Sequence, residues 1–151
     1  MKIFFKLSIG FIFVFIITGC IGENYDFSPP AINLSSNSNI KSEELAEANI
    51  DWRGEDNNLI EKVTNDILAL AKKQQPIYFK TGEKVDILSE HADFKTEGVN
   101  VSVWQNDNTL NLQADDISFY LPKEKGEYVI EVNLQTDRGN AQYVGNLVLI
   151  E

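Results

Sequence analysis

One cysteine, one histidine and a scatter of short Asp/Asn runs are the residues of this 151-residue chain whose types suit catalysis or metal binding. Nucleophilic hydrolysis needs His91 beside an activated nucleophile, yet the sequence has no Gly-x-Ser-x-Gly elbow. His91 sits in the polar stretch SEHADFKTEG and reads as a solvated loop residue. Zinc and copper sites draw on several His, Cys or Met ligands, and the chain has one of each. Oxygen ligands are plentiful: Asp51, Glu55, Asp56 and Asn57 in DWRGEDNN, Asn106 and Asp107 in QNDN, Asp115 and Asp116 in ADD. Calcium needs roughly 6 to 8 oxygens converging from loops. None of these runs has the D-x-[DN]-x-[DN]-G pattern, so Asp51, Asp56 and Asp116 stand as weak calcium candidates against the plainer reading of Asx turns and helix caps. No Gly-rich phosphate loop occurs, and the paired carboxylates of glycoside hydrolysis need a cleft that a chain this short scarcely provides. The expectation is a protein without cofactor or catalytic residues.

Aromatic pairs are a second source of binding chemistry. In Tyr78-Phe79 and Phe119-Tyr120, neighbours on a strand point to opposite faces. Tyr78 and Tyr120 are therefore candidate exposed contacts, able to stack on a sugar ring or anchor a protein partner. The competing and simpler expectation is that both faces of the sheet are covered at those points, one of them by a helix.

Cys20 is a different matter, because it follows an apolar run. Residues 1–6 carry Lys2 and Lys6, and Leu7 to Ile17 is an unbroken mostly apolar core. That length suits a secretory signal peptide better than a membrane span, which takes about 20 apolar residues. The ending Ile17-Thr18-Gly19-Cys20 resembles the lipobox of bacterial lipoproteins. The resemblance implies diacylglycerol on the Cys20 thiol, cleavage between Gly19 and Cys20, and a lipid-anchored protein on the extracytoplasmic face of the cell membrane. Two acyl chains on one residue meet the two-signal requirement for stable anchoring. Ile21 follows the cysteine where an inner-membrane retention signal would have Asp.

Loss of residues 1–19 would remove two lysines and no acid, taking the net charge from −10 to −12. Such a chain repels phosphate backbones, so nucleic acid is not expected as a partner. With no second cysteine there is no intrachain disulfide, and the fold must rest on its core.

The elements expected to carry these residues follow from periodicity. Residues 20–42 read as a lipidated tether, with Pro29-Pro30 and the Ser35–Asn39 run as loop signals, although Ala31–Leu34 alternates enough for a strand. Residues 43–151 read as one domain. Ala46, Ala48, Ile50 and Trp52 fall on one face of a strand. Leu59, Val63, Ile67 and Leu70 lie on one helical face, so a helix is expected over about residues 59–73, capped by Asn58. From Pro76 onward period-two strands recur at Ile77–Lys80, Lys84–Ser89, Val99–Gln105, Thr109–Gln113, Ile117–Leu121, Glu127–Gln135 and Asn140–Ile150, with Asp137-Arg138-Gly139 as a hairpin.

Glu124, Gly126, Tyr128 and Ile130 are spaced like the run that leads into strand F of immunoglobulin-like domains. That resemblance implies a tyrosine corner at Tyr128, Ile130 in the place of the disulfide cysteine, and Trp52 or Trp104 as core tryptophan. Tether, helix and sandwich together look like uncharacterised surface lipoproteins of Bacillus-type Gram-positive bacteria. The expected fold is mainly β: an antiparallel immunoglobulin-like β-sandwich with one packed helix. The expected role is a monomeric, non-catalytic binding or accessory module at the cell envelope with an unknown protein or glycan partner. Glycan or solute binding, and a small envelope enzyme, are the alternatives.

Overall fold

A computed structural model describes residues 27–90, 93–106 and 108–151. Gly19, Cys20, His91 and Asp107 lie outside the described residues. Among those described, no helix is long and apolar enough to cross a membrane.

Two antiparallel sheets face each other. The smaller contains β1 (Ala31–Ser36), β2 (Asn39–Glu44), β6 (Lys84–Glu90), β9 (Ala114–Asp115) and β10 (Ser118–Tyr120), in the order β2-β1-β6-β10-β9. The larger contains β3 (Ala46–Arg53), β4 (Leu59–Lys62), β7 (Thr96–Gln105), β8 (Asn108–Leu112), β11 (Gly126–Thr136) and β12 (Gly139–Ile150), in the order β4-β3-β12-β11-β7-β8. β5 (Ile77–Lys80) runs parallel to the end of β12 at Leu147–Ile150, while β3 pairs with its beginning at Gly139–Val144. Between the sheets lie Leu34, Trp52, Val85, Phe119, Ile130 and Tyr143, all essentially inaccessible to solvent.

Strands β6 to β12 follow the immunoglobulin order. β6, β10 and β9 take the places of B, E and D, and β12, β11, β7 and β8 those of G, F, C and C′. Tyr128 forms the expected corner, its hydroxyl donating to the Glu124 carbonyl at 3.0 Å. Ile130 is wholly buried where immunoglobulins have cysteine. The core indole is Trp52, which meets the Phe94 ring edge-on at 5.4 Å. Trp104 faces the other side of the larger sheet.

Three expectations are corrected. First, residues 31–42 are not tether. β1 and β2 form a hairpin through the Asn37-Ser38 turn, and Ile32, Leu34 and Ser36 of β1 are buried. Alternation, rather than the Pro and Ser content around it, decides this segment. The preceding residues are held as well: the Trp52 indole donates to the Phe27 carbonyl at 2.9 Å and the buried Tyr143 hydroxyl to the Pro30 carbonyl at 2.7 Å.

Second, the helix is α1, Ile67–Lys72, capped by Asp66, whose Oδ1 accepts from the Ala69 N–H at 2.8 Å. Leu59–Lys62 is β4, paired antiparallel with β3. The Leu59 and Val63 positions of the expected apolar stripe are 59% and 83% exposed. The run Ile60 to Thr64 includes β-branched side chains that are stiff in a helix, and the open edge of β3 supplies backbone partners instead.

Third, the single face assigned to Ala46–Trp52 is split. Ile50 opposes Ala141 and Glu47 opposes Tyr143, so Ala48 and Asn49 together oppose Gln142 as a bulge. Ile50 and Trp52 join the inter-sheet core, whereas Ala48 packs on the opposite face beneath α1.

Candidate functional site

The outer face of the larger sheet changes character along its length. At one end α1 covers it, with Ala71 on Ala48, Val129 and Val144, flanked by Ile67, Leu68, Leu70 and Trp104. Period two then carries each central strand from that apolar patch into polar residues. β11 runs Val129, Glu131, Asn133, Gln135; β12 runs Val144, Gln142, Asn140; β7 runs Trp104, Ser102, Asn100. Register sets Asn133 beside both Asn100 and Gln142.

Glu131, on the boundary, is only 8% exposed. Its Oε2 accepts from the Trp104 indole at 2.8 Å and the Ser102 hydroxyl at 3.4 Å. Its Oε1 accepts from Asn133 Nδ2 at 2.8 Å and Gln142 Nε2 at 2.7 Å. Burial pushes this carboxyl up, but the four donors outweigh it and hold the group below the ordinary carboxylate range. It therefore stays ionised and saturated, orienting two amides rather than moving protons.

The network continues outward through the bulge. Asn49 Nδ2 donates to Gln142 Oε1, and Asn49 Oδ1 accepts from the Thr64 backbone N–H at 2.7 Å. The Thr64 hydroxyl donates to the Ala48 carbonyl at 2.6 Å, so the bulge binds the chain leaving β4 and raises it as a rim. The resulting cleft of about 700 Å³ has side-chain amides from Asn49, Asn100, Asn133, Gln135, Asn140 and Gln142. Asp51, Glu61, Lys62 and Val63 edge it. Lys62 pairs with Glu47 at 3.5 Å, an exposed contact that contributes little. The side chains of Asn100, Gln135 and Asn140 have no hydrogen-bond partner among the described residues. Fixed amides at Asn49, Asn133 and Gln142 and the unengaged amides beside them on the same sheet face can bind a polar ligand.

Of the residues expected to bind, only Asp51 reaches this cleft. Asp56 follows β3 at the edge of the larger sheet that carries β4, whereas Asp116 turns between β9 and β10, where the smaller sheet comes against β7. Both adopt left-handed backbone, φ 53° and 59°, as turn residues do. Among the described residues no three acidic or His/Cys side chains group as metal ligands, and Asp51, Asp56 and Asp116 are not brought together. Tyr78 and Tyr120 are 55% and 64% exposed, against the expectation of covered faces, while Phe79 and Phe119 fill the core. The two tyrosines lie on the outer faces of different sheets and form no common surface.

Glu131 and the amides of β7, β11 and β12 were not identifiable from sequence as a site. The available signal was the outward amides of VNLQ and NAQ, and strand neighbours alone show that these face one another. No protein-family model and no curated protein matches the chain.

Proposed function

We propose that this chain is a lipid-anchored, extracytoplasmic binding module without catalytic activity, attached through Cys20 and using the outer face of its larger sheet as its recognition surface. The observation that carries the binding role is the amide-lined cleft, whose floor is fixed through Glu131. A saturated carboxylate and oriented amides suit equilibrium recognition. Support for the anchor is the Ile17-Thr18-Gly19-Cys20 motif behind its apolar run.

Six residues separate Cys20 from Phe27. Fully extended they reach at most about 20 Å, so the anchor would keep the domain close to the bilayer rather than lift it away. The test is Cys20→Ala in the producing cell. It should abolish labelling by a palmitate analogue and release the chain from the membrane fraction; continued labelling would show that the motif is misread.

A further inference from the structure

We infer that the cleft on the larger sheet binds a neutral glycan segment, its side-chain amides meeting sugar hydroxyl or acetamido groups. This inference rests on the binding-module reading above and names its ligand class.

Main-chain addition of a peptide strand requires an open sheet edge. The floor strands β3, β12, β11 and β7 each have partners on both sides, and the open edge beside the cleft is the outer side of β4, turned away from the amides. Protein partners are typically gripped through aromatic and Arg anchors in desolvated pockets, and no aromatic or Arg side chain lines this cleft. Anionic ligands meet the rim carboxylates Asp51 and Glu61, and the only lining cation, Lys62, is already paired with Glu47. What remains is an array in which each group offers both donors and an acceptor. Sugar hydroxyls and acetamido groups offer the same combination, and neither brings charge.

The cleft is also prepared for such a ligand. Asn133 and Gln142 each spend an N–H on Glu131, and Asn49 is held between Gln142 and Thr64, so three floor amides are oriented before binding. Asn100, Gln135 and Asn140 supply the unengaged groups. The volume of about 700 Å³ falls within the range of small-molecule sites. Without a stacking ring, recognition is by hydrogen bonds, and tryptophan emission is not a suitable readout.

The full chain, held in a detergent without a sugar headgroup, should show saturation transfer by NMR to chitohexaose and maltoheptaose at millimolar concentration, and none to polygalacturonate. Asn100→Ala with Asn140→Ala removes two exposed, unbonded amides and leaves the Glu131 network intact. This double variant should weaken binding about tenfold with an unchanged circular dichroism spectrum. Tyr120→Ala, on the other sheet, should bind as the parent does. Absence of transfer to both neutral oligosaccharides, equal binding by the double variant, or preference for the anionic polymer would each overturn the inference. Palmitate labelling at Cys20 reads the anchor separately, so its failure is distinguishable from failure of the ligand assignment.

Discussion

Replacing Glu131 by glutamine tests the polar boundary of the larger sheet most directly. The substitution keeps the shape and one acceptor oxygen but turns an NH2 group toward two of the four donors now satisfied: Trp104 and Ser102 on one oxygen, Asn133 and Gln142 on the other. Two charge-assisted bonds are lost and two donors face a donor. A bond to a charged group is worth about 1.5–3 kcal/mol, but the amides can turn toward the open cleft, so the net cost is about 1–3 kcal/mol. For a domain of this size that corresponds to a fall in Tm of roughly 5–15 °C. The pH dependence provides a second reading. The folded carboxyl titrates below its ordinary 4.5, so its contribution is fully present above that value and is lost as pH falls through the lower folded value. Thermal unfolding of the parent and Glu131→Gln at pH 7 and at successively lower pH should show a large gap that narrows once pH drops below 4.5. A gap that stays constant into acid, or a variant as stable as the parent at pH 7, would refute the assignment of Glu131 as the ionised hub.

Two further outcomes follow from the packing. Gly139, at φ 138° in the β11–β12 hairpin, lies where a Cβ would collide with the Asp51 carbonyl, so Gly139→Ala combines backbone strain with overpacking. It should cost about 3 kcal/mol or more, seen as a lower urea midpoint at unchanged m-value. Tyr143→Phe leaves the Pro30 carbonyl without its buried donor and should cost about 1–3 kcal/mol, with faster proteolysis near Pro30. Burial, reinforced by the charge of Glu47, raises the Tyr143 phenol above its ordinary 10.0. The parent should therefore lose stability as pH climbs past that value, and Tyr143→Phe should lack this component.

Local pattern determined a good deal of this protein. Period two located β5 to β8 and β10 to β12 but not the two-residue β9, the Asp137-Arg138 hairpin turn joined β11 to β12, and the Glu124–Ile130 spacing placed the Tyr128 corner. Those features depend on a residue and its near neighbours, which a sequence displays. The motif at Cys20 is equally local.

Tertiary structure decided where local signals conflict. Leu59 and Val63 fit a helical stripe, yet the unsatisfied edge of β3 takes Leu59–Lys62 as a strand and leaves the helix to begin after Asp66. Ala48 and Ile50 alternate correctly, yet a bulge opposite Gln142 sends them to different faces. The cleft belongs to the same class. Asn49 and Asn100 lie far along the chain from the Asn133–Gln142 pair of the β11–β12 hairpin, and none is unusual where it stands. Only the strand order β3-β12-β11-β7 brings them side by side around one buried carboxylate, because pairing register, unlike period, is a property of two strands and cannot be read from either alone.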